Sequence, residues 1–180
     1  SGPAASISSG PSDPTNNQSA TFEFSTDDTS DIFECNLDSS DWSSCSSPES
    51  YSSLSEGSHS FAVRAIDSVN NTGKTDYHNW TIDITDPVTT ITSGLDSFTN
   101  STSAVFQFSS NESNSTFQCK WDAGNWSNCT SSQSYDNLSE DSHIFYVRTT
   151  DQAGNLGNTA THSWIIDITD PVTTLTNAPP

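Results

Sequence analysis

The chain has 180 residues, with 23 acidic side chains against four basic ones and a formal charge of −19. Such a surface repels phosphate backbones, which excludes nucleic-acid binding and docking on anionic membranes, and no run approaches the roughly 20 apolar residues that cross a bilayer. Leu, Ile, Val and Phe number only 31 while Ser and Thr number 59, a balance that in an unpatterned chain predicts disorder.

The pattern argues otherwise. A short strand is expected near Ile7. Ala20, Phe22 and Phe24 then alternate with Thr21, Glu23 and Ser25, and Phe33, Cys35 and Leu37 alternate with Glu34 and Asn36. Another short strand is expected near Tyr51. Phe61, Val63 and Ala65 alternate with Ala62, Arg64 and Ile66, and His78, Trp80, Ile82 and Ile84 alternate with Asn79, Thr81 and Asp83. A period of two places one face in a core and the other in water. No segment carries a helical period. About seven antiparallel strands in some 84 residues, with turns every 8–12 residues, predict an all-β immunoglobulin-like sandwich.

From residue 87 the whole pattern starts again. Positions 3–86 and 87–170 align without a gap and share 39 identical residues of 84. The matches keep the apolar set: Cys35 with Cys119, Trp42 with Trp126, Cys45 with Cys129, His59 with His143, Phe61 with Phe145, Trp80 with Trp164. A disordered linker has no reason to preserve aromatic spacing, so the repeat overrides the composition. Two tandem sandwiches are expected, at 1–86 and 87–170, with 171–180 beginning a third copy or forming a linker strand. Residue 1 already falls inside the repeat, so the chain is read as a piece of a longer protein or a mature segment.

Each copy has two cysteines ten residues apart. Four cysteines allow three pairings, and the repeat favours Cys35–Cys45 and Cys119–Cys129, each closing a loop worth roughly 2–3 kcal/mol. The spacing is not that of a zinc site. Disulfides imply an oxidising compartment, hence an extracellular or cell-surface location.

The stretches FECNLDSSDWSSC and FQCKWDAGNWSNC, LSEGSHSFAVRAID and LSEDSHIFYVRTTD, and the linkers DITDPVTTIT and DITDPVTTLT occur in order twice. In them the chain resembles the bacterial-type immunoglobulin-like repeats of large prokaryotic cell-surface and adhesin proteins. The resemblance covers nearly the whole chain and implies stalks, spacers and adhesive modules. One turn departs from the pattern: Ala153-Gly154-Asn155 in the second copy is Val69-Asn70-Asn71 in the first.

Among candidate sites, His59 and His143 are read as hydrogen-bonded corners that lock a turn onto the sheet. Trp42 and Trp126 are expected to cover the disulfides, and Trp80 and Trp164 to fill the core. Arg64 and Arg148 are expected in cross-strand ion pairs. Calcium, which takes six to eight oxygens, has candidate ligands in Asp67, Asp83 and Asp86 at one junction and Asp151, Asp167 and Asp170 at the next, although Asp is also a turn-former in its own right. Nine sequons mark Asn17, Asn70, Asn79, Asn100, Asn111, Asn114, Asn125, Asn128 and Asn137 as glycosylation candidates.

No nucleophile motif or Gly-rich phosphate loop is present, so no enzyme and no cofactor beyond calcium are expected. The expected role is a structural or adhesive stalk whose partners are neighbouring repeats, like subunits, or surface glycans and proteins. A rival reading is a binding module, suggested by Trp121, Tyr146 and Gly124 in the second copy alone. A third is filament assembly through a strand-like tail at residues 172–176.

Overall fold

The computed structural model describes residues 2–176. It divides into two compact units: residues up to Thr85 together with Gln152–Asn155, and Asp86–Asp151 together with the residues from Leu156 on.

The first unit holds β1 (Ala5–Ser9), β2 (Ala20–Thr26), β3 (Ile32–Leu37), β4 (Ser43–Cys45), β5 (Glu49–Tyr51), β6 (Gly57–Ile66) and β7 (Asp76–Ile82). They form two antiparallel sheets, β1-β2-β5 and β4-β3-β6-β7. In β2, Ala20, Phe22 and Phe24 are buried and the residues between them are exposed, so the period of two read from sequence is the period of the fold. The core gathers Ala20, Phe22, Phe24, Cys35, Leu54, Phe61, Val63, Trp80 and Ile82. Its centre is a stacked pair, Phe22 and Phe61, with ring centroids 4.0 Å apart.

The second unit holds β8 (Thr89–Ser93), β9 (Phe98–Thr99), β10 (Ala104–Ser110), β11 (Thr116–Trp121), β12 (Ser127–Cys129), β13 (Gln133–Tyr135), β14 (Ser142–Thr150) and β15 (Ala160–Ile166). Its sheets run β13-β10-β8 and β12-β11-β14-β15-β9. The extra strand β9 pairs parallel to β15, with Thr99 opposite Ile166; at the matching place in the first unit, Thr15 makes a single parallel bridge to Ile82. Phe106 and Phe145 repeat the stacked centre at 4.2 Å. Both units are all-β sandwiches, and no helix occurs among the described residues.

Three expectations need correction. Ile84 lies beyond the end of β7 and is exposed, because the strand stops where the linker begins. Ala62, read as outward-facing, is buried; its single methyl group sits between Asn36 and Tyr77, its partners across β3 and β7. The tail at 172–176 forms no strand, and Val172 and Leu175 are almost wholly exposed, since no strand pairs with it among the described residues. The remainder of the supposed third copy, 177–180, lies outside the described residues.

The divergent turn has a backbone reason. Gly154 has φ +97° and Asn70, at the matching position, has φ +64°. Both occupy left-handed space, which glycine enters freely and asparagine tolerates better than most residues.

Candidate binding face

The disulfides Cys35–Cys45 and Cys119–Cys129 are formed, with Cα atoms 5.8 Å apart in both, inside the usual range for such a bridge. Each ties β3 or β11 to its short neighbour β4 or β12 along a diagonal of the ladder, since Cys35 lies opposite Ser43 and Cys45 opposite Phe33, with Cys119 and Cys129 offset in the same way. Phe33 and Phe117 pack beside them on the core side.

The histidine corners are built from an aspartate at the end of β3 or β11. Asp38 and Asp122 sit at φ +51° and +47°, which turns their carboxylates back toward the sheet. One oxygen of Asp38 accepts from the backbone N–H of Ser60 at 2.9 Å; the other meets His59 Nδ1 at 2.7 Å. His59 Nε2 faces the carbonyl of Ser55 at 2.8 Å. Asp122 repeats this with Ile144 N–H and His143, and His143 Nε2 faces Ser139 O. Both imidazole nitrogens therefore face acceptors, which only the doubly protonated ring can satisfy. The carbonyl of Ser55, with Asp38, raises the His59 pKa against the opposing effect of burial. At His143 burial is the largest influence and acts downward, but Ser139, Asp122 and Asp141 outweigh it and the net shift is upward. With both nitrogens engaged, neither ring is free to serve a substrate as base. The acid partners were not expected from sequence; the signal was there, since Asp38 and Asp122 are identical residues at matching positions.

His78 and His162 are anchors of the same kind: their Nε2 atoms bond the carbonyls of Pro11 and Leu95, and their rings lie against Phe22 and Phe106. Trp80 and Trp164 fill the cores at 2 % exposure. Their indole Nε1 groups find no acceptor among the described residues, and their rings lie against those of His59 and His143.

The solvent-facing side of the four- and five-stranded sheets is where the units part. Trp42 and Trp126, expected beside the disulfides, stack on Arg64 and Arg148, whose guanidinium carbons lie 4.2 and 4.3 Å from the ring centroids. A flat guanidinium over an indole face gains a cation–π contact and shields the ring from water. Arg64 also forms the expected ion pair, to Glu34 opposite it on β3. Arg148 meets the neutral Gln118 instead. Beyond this shared frame the second unit adds Lys120 over Tyr146 and Trp126, and Trp121 leans on Tyr135 and His143. Asn36, Ser60, Ala62, Thr81 and Pro14 of the first unit become Lys120, Ile144, Tyr146, Ile165 and Phe98. A shallow cleft of about 440 Å³ beside His59, lined by Asp13, Asp38 and Asn79, becomes one of about 310 Å³ lined by Phe98, Ile144 and Ile165.

Three of the six carboxylates considered for calcium accept bonds in local turns. Asp67 accepts from Val69 N–H, Asn71 N–H and the Asn71 carboxamide, and the Asn71 bonds hold its pKa below the usual carboxylate value. Asp83 and Asp167 accept from the backbone N–H groups of Thr85 and Thr169. Asp86 and Asp170 are exposed, and Asp151 is buried. All nine sequon asparagines are exposed.

Two sheets in each unit, with β1, β2 and β5 in one and β3, β4, β6 and β7 in the other of the first unit, agree with solved structures of known type. The fibronectin(III)-like modules of Clostridium thermocellum CbhA align over 91 % of this chain and 94 % of theirs, at 11 % identity and TM-score 0.52. The units have the immunoglobulin-like and fibronectin III-like fold. A chain from the complex of the mouse coronavirus receptor-binding domain with its murine receptor aligns over 92 % of this chain and all of its own, at 11 % identity and TM-score 0.50. At such identities the likeness speaks for fold alone. No protein-family model and no curated protein sequence matches the chain.

Proposed function

We propose that the chain is a piece of an extracellular structural or adhesive array, a stalk or spacer of sandwich units in series. The observation that carries this reading is that each unit is equipped to resist unfolding by itself. Each has its own aromatic core, its own disulfide and its own histidine corner, at the same positions 84 residues apart. The disulfides fit an oxidising compartment, and the acidic surface keeps crowded copies soluble. Pulled from both ends, the chain should unfold in two separate events. Reductant should lengthen each event by about 3 nm, the span of the residues enclosed by one bridge at roughly 3.3–3.6 Å apiece. A chain that extends without resistance would sink the stalk reading.

The second reading, a binding module, is favoured by the outer sheet face of the second unit. Lys120, Ile144, Tyr146 and Ile165 replace polar or small residues there, as an interaction surface requires. Immobilised glycans and surface proteins should then retain the wild type and lose the variant Tyr146→Ala. Retention unaffected by that change would place recognition elsewhere.

A further inference from the structure

Nine sequons are exposed, but exposure alone does not choose among them. Four have an aromatic residue two positions before the asparagine: Tyr77 before Asn79, Phe98 before Asn100, Trp126 before Asn128 and Tyr135 before Asn137. Two of these rings already have work. Trp126 is stacked by Arg148, as Trp42 is by Arg64, and Tyr135 packs on the core, as Tyr51 does. Tyr77 and Phe98 are used only in part, beside Ala62 and along the cleft at Ile165. They are 62 % and 71 % exposed, and neither touches another ring among the described residues. A large ring left in water is a poor use of apolar surface unless something covers it.

The repeat supplies a second, independent observation. Where Tyr77, Asn79 and Thr81 stand in the first copy, the second has Thr161, Ser163 and Ile165. Where Phe98, Asn100 and Thr102 stand in the second, the first has Pro14, Asn16 and Gln18. Each exposed ring is thus present where its sequon is complete and absent where the sequon is broken. On β7, moreover, Tyr77, Asn79 and Thr81 share the outer face, while Trp80 and Ile82 point into the core. Residues two apart on a strand lie about 6–7 Å from each other on one face, within reach of a first sugar.

We propose that Asn79 and Asn100 carry N-linked glycans, and that the sugar bonded to each asparagine packs on the ring two residues before it, Tyr77 or Phe98. The donor is a saccharide linked through phosphate to a membrane lipid. The carboxamide Nδ2 bonds to the anomeric carbon, the bond from that carbon to the donor's phosphate oxygen breaks, the lipid phosphate leaves with the electron pair, and the amide gives up one proton. The C–H face of the sugar then covers the ring, and at Phe98 it lies over the apolar cleft beside Ile165. The proposal does not rest on the stalk reading, and at Phe98 the sugar takes up part of the face that the second reading uses.

The test is to secrete the chain from a cell that N-glycosylates, map occupancy by peptide mass spectrometry, and run two double-mutant cycles. One combines Tyr77→Ala with Asn79→Gln; the other combines Phe98→Ala with Asn100→Gln. Both rings are exposed, so all variants should fold, which circular dichroism checks. Both asparagines should be occupied, and each Ala substitution should lower the unfolding midpoint by a few degrees only while its glycan is present. An unmodified Asn79 or Asn100 overturns the assignment. Occupied sites with Ala effects that do not depend on the glycan overturn the packing.

Discussion

At a spacing of 84 residues, Phe22, Phe61, Trp80 and Ile82 of the first unit meet identical residues in the second, Phe106, Phe145, Trp164 and Ile166, and all eight are buried. On the outer sheet face five positions change from small or polar to apolar, aromatic or cationic. The interior has changed chiefly as a pair. Ala5 and Ala65 are replaced by Thr89 and Thr149, whose hydroxyls bond each other at 2.8 Å inside the second unit. A single buried hydroxyl would be left unsatisfied, whereas two together satisfy each other. Interiors therefore change by compensated steps, and exteriors are free to take up new work one residue at a time.

Equal interiors require equal penalties. Phe61→Ala and Phe145→Ala should each destabilise their own unit by about 3–5 kcal/mol, measured by denaturant unfolding, while exposed Glu23→Ala should stay within about 0.5 kcal/mol. Comparable losses from all three would mean the register is misread. Next comes the threonine pair. Thr149→Ala alone should cost about 1–3 kcal/mol by stranding the Thr89 hydroxyl, and adding Thr89→Ala should recover part of that loss. A double variant as damaged as the sum of the singles would show the hydroxyls to be independent.

The histidine corners predict a shared pH response. Both folded pKa values are raised above the ordinary value near 6.5. Their contribution is therefore complete below about 6.5 and is lost as the pH rises through the folded values. Stability measured from pH 5 to 9 should fall across that window in both units, and His59→Gln should flatten only the first unit's profile. A profile that rises with pH would refute the charged corner. Smallest is the ion pair. Glu34→Gln, which installs the second unit's arrangement, should cost about 0.2–1 kcal/mol and less at high salt. Gln118→Glu should return the same salt dependence to the second unit, and its absence would show the Arg148 side chain already committed to Trp126.

The strands and cores were legible because period two and an ungapped repeat leave little freedom: Phe22, Cys35, Phe61, Val63 and Trp80 all fall where alternation puts them. The disulfide pairing was legible from the same repeat. The partner of His59 was not, because Asp38 lies 21 residues away and reaches it only through the β3–β6 pairing. The stack of Trp42 on Arg64 was not legible for a related reason. The Trp42 indole projects from a loop, where alternation says nothing about direction, and Arg64 on β6 takes its face. The linker aspartates divide similarly, since local turns such as that of Asp67 follow from neighbours along the chain.

Trp42 and Trp126 sit inside the ten-residue loops that the disulfides close. Each indole is thus tethered at both ends while its face rests on a guanidinium. Opening the bridge frees that tether without disturbing Trp80 or Trp164, whose rings are sealed from water. Every unit consequently contains two indoles with different duties, one reporting the redox state of the loop and the other the integrity of the core, and the second unit adds Trp121 to these. Emission that shifts red in reductant while the buried indoles stay blue would read out bond cleavage before unfolding, with no label added to the chain.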